Sequence, residues 1–220
     1  MTPSLAQVVW LRRLRAILYR RWHHTTIQRT GRNNIVRLND SLLRQCKIEL
    51  TGNDNTLEIG AGARLWDVTI RLIGDHLHCR IGSQCRLIGG QYQLEDRGSR
   101  LEIGEGSTLF TPVVSVLEGG SIRFGQDCLV AYSTDFRNSD AHSILDATTR
   151  ARINPAADVD IADHVWIGNQ AQILKGTTIG PRAIVAARSV VTKAVAAGTL
   201  VAGVPARVIR ENVDWDHRRL

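Results

Sequence analysis

The chain has 220 residues, which is enough for a single domain with a buried core. Only 5% of the residues are aromatic and 19 are glycine, a composition that suits a narrow repetitive fold better than a β-sandwich. The net charge is +7, and no apolar stretch is long enough for a signal peptide or a membrane span. The four cysteines include no CxxC motif, which argues against a zinc or redox site and favours a reducing compartment.

The excess positive charge lies in a basic N-terminal arm, residues 1–34. The first 32 residues contain seven arginines and no acidic residue, whereas the other 188 contain 21 basic and 21 acidic residues. As a helix, the arm has an apolar face formed by Trp10, Leu11, Leu14, Ile17, Leu18 and Trp22. The opposite face carries Arg12, Arg13, Arg15 and Arg20, and Arg21 falls on the apolar side. The arm is therefore predicted to be an amphipathic helix.

Three roles suit this helix. It can cover the open first coil of a repeat protein or pack against a sister subunit, because a solenoid must shield its ends. It can also lie on an anionic membrane surface with its arginines at the headgroups. Nucleic acid binding is disfavoured, because the rest of the chain carries no excess charge.

Residues 35–204 are predicted to form a parallel β-solenoid. One motif occurs four times, as LEIGAGARL (57–65), CRIGSQCRL (79–87), LEIGEGSTL (101–109) and IRFGQDCLV (122–130). The central residues are 22, 22 and 21 positions apart; they are Ile59, Ile81, Ile103 and Phe124. Each copy therefore fits one coil of three six-residue sides with a short corner insertion. The segment VRLNDSLL (36–43) is a weaker first copy.

The cysteines of the repeats occupy positions that predict core packing. Cys79 stands where the sister copies have Leu57 and Leu101. Cys85 and Cys128 match small residues in the other copies and belong to coils with another coil between them, so they are too far apart to bridge.

The repeat is interrupted after Phe124. The next equivalent residue, Ile161, follows 37 positions later, about 16 more than an early coil requires. An extruded loop is therefore predicted at about residues 132–158.

From Ile161 onward the repeat has a strict period of six. Its aliphatic residues are Ile161, Ile167, Ile173, Ile179, Val185 and Val191. A helix cannot keep this period on one face, whereas a strand can, because six is a multiple of two. Three such sides close a triangular coil, so the predicted fold class is an all-β solenoid of hexapeptide repeats. Gly203 and Pro205 mark the end of the solenoid before a C-terminal segment, residues 205–220.

The segment IADHVWIGNQAQILKGTTIGPRAIVAARSVVTK and the later AGVPARVI resemble the C-terminal coils of the left-handed parallel β-helix acyltransferases. The resemblance covers roughly residues 122–213. It implies a left-handed parallel β-helix, to which this chain adds an N-terminal amphipathic helix and a short C-terminal segment. It also implies a homotrimer that binds acetyl-CoA in the groove between neighbouring subunits.

The extruded loop contains DFRNSDAHSILD (135–146), which is similar to the catalytic segment of bacterial polysaccharide and sialic acid O-acetyltransferases. The stretch RINPAADVDIADHVWIG (152–168) strengthens that match. The resemblance implies that His142 is the general base and that Trp166 shares the active site. Because Trp166 precedes an inward Ile167, strand alternation points its indole outward, towards a subunit contact or a ligand. The indole N–H can donate to a thioester or substrate oxygen.

The chemistry of acetyl transfer also favours a histidine. A hydroxyl that attacks a thioester must lose a proton, and imidazole, with a pKa of about 6.5, can accept it at neutral pH. The thiolate leaves readily, since thiols have a pKa of about 8.5, so no acyl-enzyme is needed. Asp140 or another nearby carboxylate can hold the required tautomer. The alternative is that His142 is a solvated loop histidine.

The other histidines offer weaker candidates. His164 lies in the corner ADHVWIG and is expected to face solvent. The γ-class carbonic anhydrases share this fold but need three zinc-binding histidines, and His142 has no partner histidine near it in the sequence. No metal is therefore expected.

The resemblance implies that the last coils bind acetyl-CoA. Trp166, Ala186 and Ala187 would line the pantetheine, and Lys193 is a point charge suited to a phosphate. Gly203, Pro205 and Arg207 would lie beside the adenosine, although the glycine and the proline equally suit the end of the solenoid. Most relatives have glycine where Arg188 stands, a departure that either narrows the pantetheine path or adds a phosphate contact.

The predicted function is acetyl-CoA-dependent O-acetylation of a sugar hydroxyl in a surface polysaccharide (capsule, exopolysaccharide or O-antigen) or its precursor. One alternative is an N- or O-acetyltransferase of an amino sugar, a nucleotide sugar or another small molecule. Another is a non-catalytic solenoid scaffold. The predicted location is cytoplasmic, with the arm at the inner face of the membrane.

Overall fold

The computed structural model describes residues 5–220, and within its helix it describes the side chains from residue 10 onward except that of residue 13. Residues 1–4 of the arm and the side chain of Arg13 therefore lie outside the described residues. One α-helix, α1 (Leu5–Trp22), precedes a long series of short strands.

The first five coils contain fifteen strands of two to seven residues. They are β1 (Thr26–Thr30), β2 (Ile35–Arg37), β3 (Leu42–Arg44), β4 (Lys47–Thr51), β5 (Thr56–Ile59), β6 (Arg64–Trp66), β7 (Thr69–Asp75), β8 (His78–Ile81), β9 (Arg86–Ile88), β10 (Gln91–Arg97), β11 (Arg100–Ile103), β12 (Thr108–Phe110), β13 (Val113–Val116), β14 (Ser121–Phe124) and β15 (Leu129–Val130).

The remaining strands belong to the last three coils and to the C-terminal hairpin. They are β16 (Asp135–Arg137), β17 (Val159–Ile161), β18 (Trp166–Ile167), β19 (Gln172–Ile173), β20 (Thr178–Ile179), β21 (Ile184–Val185), β22 (Val190–Val191), β23 (Thr199–Gly203) and β24 (Ala206–Glu211).

Up to β22, every third strand joins the same sheet, so the described chain forms a three-sided parallel β-solenoid. The first sheet runs from β1 to β22, the second from β2 to β20, and the third from β3 to β23, with β24 added antiparallel to β23. We call the edge between the first and second sheets corner I, that between the second and third corner II, and that between the third and first corner III.

The core is a set of aliphatic columns along the solenoid axis. The predicted repeat positions lie directly above one another, since Ile59, Ile81, Ile103, Phe124, Ile161 and Ile179 are paired in register through six successive coils. All six are buried. The hexapeptide interpretation is therefore confirmed at the level of individual residues.

The cysteines lie inside these columns. Cys79 pairs with Leu57 on one side and Leu101 on the other, as the repeat alignment predicted. All four cysteines are free and buried. Burial raises the pKa of Cys79 to about 12 and, as the largest of several effects, that of Cys85 and of Cys128 to about 11.

The solenoid begins earlier than the sequence predicted. Strand β1 pairs in parallel with β4, so residues 26–34, assigned to the arm, already belong to the first coil. Helix α1 contacts β3, where Ala16 is fully buried and the Arg20 guanidinium donates to the Ser41 carbonyl oxygen at 3.4 Å. Within residues 5–220, no helix has both the length and the apolar character needed to cross a membrane.

The extruded loop and the tail are the two departures from the repeat. The loop occupies residues 138–158 at corner I, starting later than predicted because β16 still belongs to the first sheet. After β24, the tail of residues 212–220 folds back onto corner II, where Trp215 stacks on His164.

Candidate active site

His142 lies in the extruded loop, which holds its backbone while leaving its side chain exposed. Its N–H donates to the Asp140 carbonyl oxygen at 2.7 Å, and its carbonyl oxygen accepts from the Asn154 side-chain amide at 2.8 Å. Ala141, just before it, has a φ of 62°, a left-handed conformation that turns the chain sharply. In the part of the chain that the structure describes, the imidazole has no hydrogen-bond partner, so both ring nitrogens are open to an incoming group.

Asn154 joins the two arms of the loop. It is nearly buried, at 7% exposure, and its side-chain oxygen accepts from the Ile144 N–H at 2.6 Å. Its amide nitrogen donates to Asp140 at 2.7 Å as well as to the His142 carbonyl. The antiparallel bridge between Leu145 and Arg152 completes a small hairpin that projects from corner I.

Asp140 ties this hairpin to the next coil. Its carboxylate accepts from the Lys175 ammonium at 2.5 Å, and Lys175 also donates to the Asn154 carbonyl oxygen at 3.1 Å. These hydrogen bonds, from Lys175 first and then Asn154, lower the pKa of Asp140. The prediction that Asp140 orients the imidazole gains no support, because among the described residues the carboxylate of Asp140 accepts from Lys175 and Asn154 and not from the His142 ring.

Glu118 ties the hairpin to the preceding coil. Its carboxylate accepts two hydrogen bonds from the Arg152 guanidinium, at 2.6 and 2.9 Å, and a third from the Ser139 hydroxyl. Mainly through Arg152, this lowers the pKa of Glu118 to about 2. The Glu118 carboxylate therefore remains ionised throughout the neutral and weakly acidic pH range.

Sequence reasoning missed Glu118, Asn154 and Lys175. Glu118 and Lys175 lie at corners of the coils that flank the loop, and Lys175 is 35 residues from Asp140 in the sequence. Hexapeptide spacing predicts the inward aliphatic residues and gives no information about polar residues at corners. The one available signal was that all three belong to the same corner of successive coils.

Trp166 lies on the third sheet, with its side chain outward as predicted. Its residue exposure is 39%, whereas Ile167 is buried. Its strand pairs with β15 below and β21 above, next to Leu129 and Ile184. Because corner I and the third sheet are on opposite sides of a triangular coil, a single chain does not bring Trp166 and the His142 loop onto one face.

The residues predicted to bind acetyl-CoA fall into two groups. Ala186 and Ala187 follow β21 at corner III, so Ala186 continues the strand next to that of Trp166. Arg188 follows them with a φ of 59° and donates to the Gln170 side-chain oxygen at 2.8 Å. The left-handed backbone is a physical reason for glycine to be favoured at this position.

The second group lies at the C-terminal end of the solenoid. Lys193 and Arg207 line one cleft of about 300 Å³, which also contains Val195, Val201 and Val208. Gly203, with a φ of 103°, and Pro205 form the turn between β23 and β24 that carries Arg207 to this cleft. The structure therefore brings the two basic residues together. The Gly203 N–H donates to the Ser189 hydroxyl oxygen at 3.2 Å, which joins this end of the solenoid to corner III.

Metal ligation has no candidate in this region. Across the side chains that the structure describes, no group of three His, Cys, Asp or Glu residues is arranged to hold an ion.

Comparison with known proteins identifies the family to which this chain belongs. The family model described as "Bacterial transferase hexapeptide (six repeats)" matches residues 158–193. Polysialic acid O-acetyltransferase from Neisseria meningitidis is 32% identical over 147 residues, which cover 66% of this chain and 68% of that protein.

Two solved structures match most of the chain. The polysialic acid-specific acetyltransferase NeuO has a TM-score of 0.81 and 29% identity, covering 88% of this chain and 89% of its own. The polysialic acid O-acetyltransferase OatWY has a TM-score of 0.84 and 28% identity, covering 89% and 93%. This chain therefore belongs to the hexapeptide-repeat acetyltransferases and has their left-handed parallel β-helix fold.

Proposed function

We propose that this protein is an acetyl-CoA-dependent O-acetyltransferase that modifies a sugar hydroxyl of a surface polysaccharide or of its precursor. The observation that carries the proposal is an exposed imidazole, His142, on a loop whose backbone is held by Asn154. The similarity to O-acetyltransferases of polysialic acid supports a polysaccharide acceptor. The scaffold alternative is disfavoured, because the relatives are acetyltransferases.

His142 acts as a general base in this proposal. It removes the proton of the acceptor hydroxyl as the oxygen attacks the thioester carbonyl, and the CoA thiolate leaves with the electron pair of the C–S bond. An acyl-cysteine intermediate is disfavoured, because the four thiols are buried and their pKa values are raised. Transfer is therefore direct.

The active site is completed between subunits of a homotrimer. Within one chain, the His142 loop projects from corner I while Trp166 lies on the third sheet, so a shared site requires corner I of one subunit beside the third sheet of its neighbour. In such a seam, Trp166, Ala186 and Ala187 offer an aromatic group and small side chains to the pantetheine. Arg188, Lys193 and Arg207 offer positive charge to the nucleotide phosphates, with Gly203 and Pro205 setting the position of Arg207.

Replacing His142 with alanine tests the base. We expect kcat to fall by about 10²- to 10⁴-fold, the usual contribution of a general base, with little change in CoA affinity. The measurement is the rate of acetyl transfer to purified bacterial glycans, detected through the free thiol of the CoA that the reaction releases. His78→Ala, which removes an exposed histidine from β8, is the control and should keep wild-type activity. Full turnover in His142→Ala would refute the assignment.

Asp140 and Lys175 test how the loop is held. If the pair only anchors the loop, Asp140→Asn and Lys175→Met should each lower kcat about tenfold to a hundredfold through misplacement of the base, and the double variant should lose little more. The apparent pKa of the kcat/KM profile should then remain that of wild type. A shifted profile in Asp140→Asn alone would instead show that the carboxylate orients the imidazole.

The shared site predicts complementation between inactive subunits. His142→Ala and Trp166→Ala should each be inactive alone, but coexpressed chains should form mixed trimers in which about one site in three holds both intact residues. Sedimentation equilibrium should give three times the chain mass of 24.4 kDa. A monomer, or mixed trimers with no recovered activity, would contradict a site shared between subunits.

The basic arm is proposed to hold the trimer at the inner, cytoplasmic face of the membrane, where lipid-linked glycan precursors are built. Although Ala16 packs on the first coil, the apolar face remains open: Trp22 is 80% exposed, Trp10 62% and Leu18 59%. This face forms a groove of about 470 Å³ bordered by Arg15. Arginines beside exposed leucines and tryptophans match the amphipathic helices that bind anionic lipid surfaces.

Vesicle cosedimentation tests the arm. Wild-type protein should bind vesicles containing phosphatidylglycerol, and Leu14→Glu with Leu18→Glu should weaken binding at least tenfold, because the apolar face is lost. Ile209→Glu, an exposed aliphatic position at the other end of the solenoid, is the matched control. Unchanged binding in the double variant would refute the lipid contact, and a reduced sedimentation mass would show that the arm joins subunits instead.

A further inference from the structure

The tail of residues 212–220 is fastened to corner II by a cluster that the proposed mechanism does not use. His164, at the corner between β17 and β18, stacks on Trp215 with ring centroids 4.3 Å apart and an interplanar angle of 9°. The Trp215 indole N–H donates to the His164 carbonyl oxygen at 2.8 Å. His164 was expected to face solvent, and the tail instead covers it, leaving 28% of its side chain exposed.

Both ring nitrogens of His164 face oxygen acceptors. Nδ1 lies 2.7 Å from a carboxylate oxygen of Asp127, in the corner of the preceding coil. Nε2 lies 3.0 Å from the Trp215 carbonyl oxygen and 3.4 Å from the Asp214 carboxylate. A neutral imidazole carries one N–H and one lone pair, so it can satisfy only one side, whereas the imidazolium can donate to both.

The charged groups around the ring favour the imidazolium. Asp127, Asp214 and Asp216 are acidic, and Asp216 is paired with Arg218 at 2.7 Å. His217 bonds to the second oxygen of Asp127 at 2.9 Å, and its ring lies 4.6 Å from that of Trp215. Partial burial alone would lower the pKa of His164, but the hydrogen bonds and charges of Asp127, Trp215 and Asp214 outweigh it and raise that pKa above 6.5. The stabilisation that protonated His164 gives the folded tail is thus fully present below the pKa of this histidine in the unfolded chain. It is lost as the pH rises through the pKa of His164 in the folded chain.

The same cluster reaches Trp166. The rings of Trp215 and Trp166 are 6.3 Å apart at 47°, a tilted aromatic contact on the outer side of the third sheet. Trp166 is 39% exposed and lies two residues after His164 in the same coil, so the tail restricts the space open to its indole. A movement of the tail therefore changes the surroundings of the side chain proposed to contact the acyl donor.

We propose that the tail is a proton-dependent latch, in which protonated His164 holds Trp215 against the third sheet and Trp215 positions Trp166 for the acyl donor. Loss of the His164 proton removes one of the two ring hydrogen bonds and so weakens the attachment of the tail, although the bond from the Trp215 indole to the His164 carbonyl oxygen remains. Trp215 is a positioning residue in this scheme, since it acts through Trp166. The role in donor binding depends on the proposed function, whereas the latch itself does not.

Tryptophan fluorescence tests the latch without catalysis. A stacked imidazolium quenches indole emission, so wild-type emission should rise with pH through a midpoint above 6.5. His217 also contacts the Trp215 ring, with centroids 4.6 Å apart, so all variants are compared in a His217→Gln background. In that background, His164→Gln and Trp215→Phe should lose this transition, and Asp127→Asn should move it to lower pH. His78→Gln, at an exposed histidine on β8, should behave as wild type. A transition that persists in His164→Gln would overturn the latch.

CoA titration by calorimetry tests the positioning role. The Kd of the wild type should rise about two- to tenfold across the same pH midpoint, the effect expected from losing one hydrogen bond. His164→Gln should bind at the weaker level at every pH. A fluorescence transition with a pH-independent Kd would overturn the positioning role. Loss of the proposed base would show only in the His142→Ala assay, so the two hypotheses fail separately.

Discussion

The structure depends on one constraint: each coil forms parallel backbone hydrogen bonds to the coil before it, in an unbroken register. Neighbouring strands in a sheet are about 4.8 Å apart, so residues at equivalent positions in successive coils become direct neighbours. This is why Glu118, the extruded loop and Lys175 meet, although they are far apart in sequence. The extruded loop is held from below and above because the ladder of coils continues on both sides of it.

The two anchors have complementary electrostatics. On one side an acidic residue, Glu118, holds the basic Arg152 of the loop, and on the other a basic residue, Lys175, holds the acidic Asp140. These ion pairs are partly exposed, so each contributes modestly to the free energy of unfolding. What they fix is the position of the loop that carries His142.

The sequence predicted the solenoid well because its core has a simple rule. The columns of Ile59, Ile81 and Ile103 follow from spacing alone, and Trp166 follows from alternation with Ile167. The loop was located by the length of the interruption, and His142 by its resemblance to a catalytic segment. Spacing could not supply the partners of Asp140, since hydrogen bonds between corner residues leave no periodic signal.

The contacts of the C-terminal tail were not predicted from the sequence. His164 occupies an ordinary corner, and only the fold of residues 212–220, which lies outside the repeat, gives it two acceptors and an aromatic partner. Similarly, β1 falls within the residues assigned to the arm. Its sequence, TIQRT, lacks the aliphatic signature of the later coils, and its residues are all exposed. The two ends of the chain do not follow the repeat, and their positions depend on tertiary contacts that the repeat pattern does not reveal.

The antiparallel course of β24 has a consequence for how the molecule can grow. A parallel solenoid exposes unpaired backbone at its last coil, which is a template for another solenoid to stack end to end. Because β24 reverses direction against β23, the outermost strand of the third sheet no longer has the polarity that a further coil would need. End-to-end stacking of copies is therefore disfavoured at the third sheet.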